Sequence, residues 1–185
     1  MKYIRIKLLL CAVLSVTIFC AVPLTVSADS AGKISRDSQK ALQTLYAKSD
    51  SAKNLGQNAK AILVFPAITK GGFIVGGLYG EGALLKSGNV AAYYNTIAVS
   101  YGLQAGLQTY GYALFLMTDA AVNYLDKSGG WELGTGPTIV VVEKGASGSL
   151  STTTAKSDIY AFFFSQKGLM AGLGLQGTKI TKINK

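Results

Sequence analysis

The chain has 185 residues, with 18 Lys and Arg against 9 Asp and Glu, two Cys, 22 Gly, three Pro and no His. Without histidine there is no Ser-His-Asp triad, no imidazole metal ligand and no side chain that titrates near neutrality of its own accord. With 49% apolar and 15% charged residues, the chain is suited to one packed domain rather than to disorder.

Residues 1–28 read as a secretory signal peptide. Lys2, Arg5 and Lys7 form a positive start, Leu8 to Phe19 is an apolar run, and Val26-Ser27-Ala28 supplies small residues at the expected cleavage positions. A single-span anchor and lipidation at Cys20 are the competing readings; Pro23 favours cleavage, and Phe19 is a poor residue before a lipidated cysteine. Cleavage after Ala28 leaves 157 residues, removes Cys11 and Cys20 together, and lowers the net charge from +9 to +6. Such an exported chain has no disulfide, no thiolate nucleophile and no sulfur-based zinc site.

Residues 29–185 are expected to form one domain of the α+β class: an N-terminal helix, then a glycine-rich, mostly antiparallel curved sheet or small barrel with one internal helix. Residues 30–58 look helical, with Ser35 or Asp37 as cap and Ala41, Leu42, Leu45, Tyr46, Ala52, Leu55 and Ala59 near a 3.6 period. Lys33, Arg36, Lys40, Lys48 and Lys53 make this segment basic. Its apolar face either docks on the domain or lies on a membrane surface.

Ala61 to Phe65 reads as a buried strand stopped by Pro66. Gly71 to Leu85 reads as one strand with Gly72, Gly76, Gly80 and Gly82 on one face and Gly77, Tyr79 and Glu81 on the other. Val90 to Ser100 continues into the alternation of Tyr101 to Gln108. Thr118 to Lys127 is a helix capped by Thr118 and ended by Ser128-Gly129-Gly130. Residues 137–143, 158–165 and 168–177 are further strand runs. Strands with one face stripped to glycine imply tight curvature or close approach by another backbone.

The chemistry-bearing motifs are few. Gly172 to Gly177 matches G-x-G-x-x-G, but no acidic residue follows among the last eight, so it is no dinucleotide fingerprint. Two carboxylates suffice for a glycosidase, and Glu81, Asp119, Asp126, Glu132, Glu143 and Asp158 are the candidates, with Glu81 foremost between Gly80 and Gly82. Lys156, Lys167, Lys179, Lys182 and Lys185 fit a lysine-protected sheet edge. An eight-stranded outer-membrane barrel fits the glycine, tyrosine and alternation, but not the helical start or the non-aromatic end.

Several blocks in order resemble the SYLF domain family, related to the yeast actin-binding and Las17-binding proteins, in an exported bacterial member. They are Lys60 to Pro66, Lys70-Gly71-Gly72 through Gly76-Gly77-Leu78-Tyr79-Gly80-Glu81-Gly82, and Gly102-Leu103-Gln104-Ala105-Gly106. Phe115 to Thr118, Trp131 to Gly134, Gly145 to Gly148, and Lys167-Gly168 to Gly172 complete the set. The resemblance implies a non-catalytic module without cofactor or metal that binds membrane lipid, phosphoinositides in eukaryotic relatives, through a basic amphipathic N-terminal helix. Lys33, Arg36, Lys40, Lys48 and Lys53, with Lys60 and Lys70 in the motif blocks, are then the lipid-binding candidates. General anionic lipid is the expected partner of a periplasmic, peripherally membrane-associated protein, with no nucleic acid, no transmembrane span in the mature chain and no actin. The alternatives are a carboxylate-based cell-envelope hydrolase and a structural surface protein, the outer-membrane barrel included.

Overall fold

A computed structural model describes residues 29–72, 75–101, 106–127, 130–133, 135–142, 157–168 and 177–185. The leader, Gly102, Gln104, Glu143, Lys156 and Gly172 lie outside the described residues. Two N-terminal helices, α1 (Ala31–Tyr46) and α2 (Asp50–Asn58), precede β1 (Ala61–Gly72), β2 (Val75–Lys86), β3 (Asn89–Tyr101) and β4 (Gly106–Leu116). Then come α3 (Asp119–Leu125), β5 (Trp131–Glu132), β6 (Ile139–Val142), β7 (Ile159–Gly168) and β8 (Lys179–Ile183). All eight strands join one curled α+β sheet in the order β5-β8-β3-β2-β1-β4-β7-β6. Every pairing is antiparallel except β6 with β7.

The helical segment is broken once. Ser49 leaves helical geometry and accepts a hydrogen bond from the Ala52 N–H, so it caps α2 and separates it from α1. Ser30, rather than Ser35 or Asp37, caps α1 by accepting from the Lys33 N–H. Ser35 instead returns its hydroxyl to the Ala31 carbonyl and meets Tyr93 Oη at 2.8 Å. The expected apolar face is docked: Leu42, Leu45, Ala52 and Leu55 are buried, joined by Ile34.

Three strand expectations are corrected. Pro66 does not stop β1; it sits in a bulge where the register slips on both sides, between Val64 and Ala67 against β2 and between Phe65 and Ile68 against β4. A proline has no N–H for either ladder, and a bulge absorbs that loss. The run from Gly71 to Leu85 is two strands, because Gly71 pairs with Gly77 and Gly72 with Gly76 across a hairpin. The alternation from Val90 to Gln108 also hides a reversal: Tyr101 ends β3 beside Val75, whereas Gly106 opens β4 beside Gly72. The helix at 118–127 forms as expected, with Thr118 accepting from the Ala121 N–H and Ala121, Val122 and Leu125 buried.

Period-2 alternation gives the sheet two apolar faces. One carries Ile62, Val64, Ala83, Leu85, Ala113, Phe115 and Phe162 beneath α1 and α2. The other carries Leu63, Phe65, Ile68, Leu84, Tyr112 and Leu114, closed by α3, Trp131 and Ile180. The Tyr112 hydroxyl donates to Thr96 Oγ1 at 2.9 Å, joining β4 to β3 across the two strands between them. In a flat sheet those strands would lie roughly 14 Å apart at about 4.8 Å per step, so the sheet curls around this second face. Among the described residues the pairing runs from β5 to β6 as an open, half-barrel sheet. β5 covers the outer side of β8 only at Lys179 and Ile180, so among the described residues Lys182 is paired with β3 alone and Lys179 lies between β3 and β5.

The glycines of β2 follow from that curvature. Gly80 and Gly82 alternate with Leu78 and Leu84 toward the concave face, where a Cβ on Gly82 would fall on the Val64 carbonyl and within 2.7 Å of Phe65 Cδ1. Phe65 and Ile68 fill the volume that side chains at 80 and 82 would take.

Candidate functional site

The intervening residues, Tyr79, Glu81 and Ala83, point to the outer face, where α1 begins. Glu81 collects three donors there. Tyr79 Oη donates to its Oε1 at 2.7 Å, the Asp29 N–H donates to its Oε2 at 3.0 Å, and Lys185 Nζ reaches both oxygens at 3.0 and 3.1 Å. Lys185 Nζ also donates to the Asp29 carbonyl at 2.8 Å. This pair is well shielded, with side-chain exposures of 12% for Lys185 and 7% for Glu81. Burial pushes the Glu81 carboxyl up, but the bonds from Tyr79, Lys185 and Asp29 outweigh it and hold the group below the ordinary carboxylate range. Burial, with the bond to Glu81, pushes the Tyr79 hydroxyl up to about 12.

Beside this cluster lies a cleft of about 230 Å3 lined by Asp29, Lys33, Asp37, Pro66, Thr69 and Glu81, among others. The bulge at Pro66 forms its floor and the first turns of α1 its wall. Lys33 bridges Asp29 at 2.9 Å and Asp37 at 3.2 Å, and these hydrogen bonds raise its pKa. Arg36 Nε lies 3.6 Å from the Asp37 carboxylate. Lys33 and Arg36 are therefore partly neutralised by neighbours, while Lys40 follows them on the exposed side of α1.

The seven lysine and arginine candidates do not converge on one site. Lys33, Arg36 and Lys40 share the outward stripe of α1 at helical spacing. Lys48 is exposed in the turn after α1, Lys53 is exposed on α2, and Lys60 opens toward Asp119 at 3.9 Å. Lys70 pairs with Gln108 and Leu78 toward the concave face, opposite α1 and α2.

Apart from Tyr79 and Glu81, the described motif residues below serve the architecture. Pro66 marks the bulge, Gly71, Gly72, Gly76 and Gly77 form the ends of the first hairpin, and Gly106 opens β4 with φ +148°. Trp131 is buried and donates its Nε1–H to the Thr135 carbonyl at 3.0 Å. Gly168 ends β7 opposite Gln108.

The other carboxylates are bound into the scaffold to different degrees. Asp126 accepts from Lys182 at 2.9 Å and Tyr94 at 3.2 Å, and the Lys182 bond holds it below its usual range. Asp158 accepts from the Thr138 N–H and hydroxyl and from Thr118, and is lowered chiefly by Thr138. Asp119 and Glu132 are exposed. Among the described residues there is no group of three or more acidic, Cys or His residues placed to hold a metal. Among them, too, no helix is long and apolar enough to cross a membrane.

Asp29 and Lys185 are the functional-site members that sequence reasoning did not join to Glu81. They stand 52 and 104 residues from it, and no local pattern links such positions.

No curated protein matches the chain. The family described as Ysc84, Las17-binding protein actin regulator, matches residues 97–185, from the outer half of β3 through β8. The motif blocks at 60–82 precede that match and carry the β1–β2 hairpin; the match itself covers the C-terminal part of the chain and agrees with the SYLF resemblance of the sequence.

Proposed function

We propose that this protein is an exported, non-catalytic SYLF-domain protein that associates peripherally with anionic membrane lipid through its basic N-terminal segment. The observation that carries the reading is the outward stripe of Lys33, Arg36 and Lys40 on a helix whose opposite face is docked, so the charges are presented on a fixed surface. The family domain supports a binding role. The leader-like start of the sequence supports export to the periplasm, where anionic headgroups are available. The family description speaks of actin regulation; an exported chain would meet lipid rather than actin filaments. A hydrolase built on Glu81 gains no support from the site. A general acid needs a raised pKa, and three donors hold Glu81 ionised.

The test is co-sedimentation of the exported protein with phosphatidylglycerol-containing and purely zwitterionic vesicles at low salt. Preference for the anionic vesicles, lost in a Lys33→Glu, Arg36→Glu, Lys40→Glu variant, is the expected result. Equal sedimentation with both vesicle types sinks the electrostatic reading. Binding that persists in the triple variant moves the site off α1.

A further inference from the structure

We propose that the peptide bond before Asp29 is cut during export and that the amino group so created docks on Glu81, making the mature N-terminus a structural member of the Glu81–Lys185 cluster. Three observations converge on Asp29. Its backbone nitrogen already lies 3.0 Å from Glu81 Oε2. Its carbonyl accepts from Lys185 at 2.8 Å, so both of its main-chain polar groups are held by the same ion pair. Val26-Ser27-Ala28 independently places the predicted cleavage at this bond.

Cleavage is a hydrolysis by a signal-cleaving peptidase. Water adds across the Ala28–Asp29 amide, the C–N bond breaks, Ala28 leaves with a carboxylate, and the Asp29 amine takes up a proton. An uncharged amide N–H that donates one hydrogen bond to the carboxylate is thereby replaced by an ammonium with three donors and a full positive charge. Glu81 is then flanked by two cations, Lys185 Nζ and the new terminus, with Tyr79 Oη as the third donor. The new terminus adds a charge–charge attraction to the carboxylate that an amide lacks, and the Glu81–Lys185 pair beside it is shielded from solvent. Ser30, the next residue, caps α1, so seating the terminus also fixes the start of the basic helix. The inference requires the leader reading and is independent of lipid binding.

The experiment uses the full chain, exported and purified from the periplasm of a host. Its intact mass is expected to correspond to a chain that begins at a free Asp29. Inserting one alanine between Ala28 and Asp29 moves the charge off Glu81, and that product, its start checked by mass, is expected to melt about 2–4 °C lower, the shift for a loss near 1 kcal/mol in a domain of this size. The same insertion in a Glu81→Gln background is expected to have no effect. Titration of the 13C-methylated α-amine is expected to give a pKa above the ordinary range of about 7.7–8.0. A different start, or an inserted chain that melts with the wild type, overturns the proposal. If Glu81→Gln does not fold, the insertion and the amine titration decide alone.

Discussion

At Gly82 the fold has no room for a side chain. A Cβ there falls on the Val64 carbonyl and lies 2.7 Å from Phe65, and a backbone oxygen inside a sheet cannot swing aside. Gly82→Ala is therefore expected to destabilise by about 1–3 kcal/mol, the range for overpacking. Gly32 is the control. It lies in α1 with nothing within 4 Å of the Cβ position, so Gly32→Ala is expected to stabilise by about 0.5–1 kcal/mol through helix propensity. Urea melts of both variants check the opposition. Equal effects would mean that the glycines of β2 serve flexibility rather than close packing.

At the scale of elements, Glu81 is the joint between β2 and the start of α1. Its folded pKa is depressed, so its contribution is fully present above the unfolded value of about 4.5 and disappears as the pH falls through the lower folded value. Thermal melts of the wild type are expected to fall more steeply than those of Glu81→Gln between about pH 5 and about pH 3. Parallel curves would place the acid sensitivity on Asp126 or Asp158. This joint was invisible in the sequence because its partners are brought together only by the completed sheet. The elements themselves were more legible. Thr118 followed by Ala121, Val122 and Leu125 gave α3, and the 3.6 period of Leu42, Leu45, Ala52 and Leu55 gave the docked helical face. The turns were hidden where glycine and alternation run through them. Gly72 and Gly76 continue the period-2 pattern across a hairpin, and Gly106 does so across the reversal into β4. Pro66 misled for the opposite reason, since a bulge lets a central strand carry a residue that normally ends one.

At the scale of the molecule, the question is whether α1 meets a membrane while docked or leaves the sheet to insert. Residues 29–53 carry five basic side chains and three acidic ones, Asp29, Asp37 and Asp50, for a net +2. At about 1 kcal/mol per net charge near an anionic surface, attraction amounts to roughly 2 kcal/mol. If α1 left, its own Ile34, Leu42 and Leu45 would exchange one apolar environment for another. The sheet face beneath would not be so compensated: Val64, Ala83 and Phe115 are wholly buried there, and exposing Val64 and Phe115 alone costs about 3–6 kcal/mol. The Ser38 bond to the Val64 carbonyl, 3.2 Å and buried, would be lost as well. Docking wins, so the helix should bind as a rigid charged surface. Vesicle binding is then expected to fall away as salt rises past about 0.15 M, where the screening length is near 8 Å. Hydrogen-exchange protection of the α1 amides is expected to be the same with and without vesicles. Salt-resistant binding, with protection changed in α1 and lost along β1 and β4, would show instead that the helix leaves its groove and the sheet tolerates the exposure.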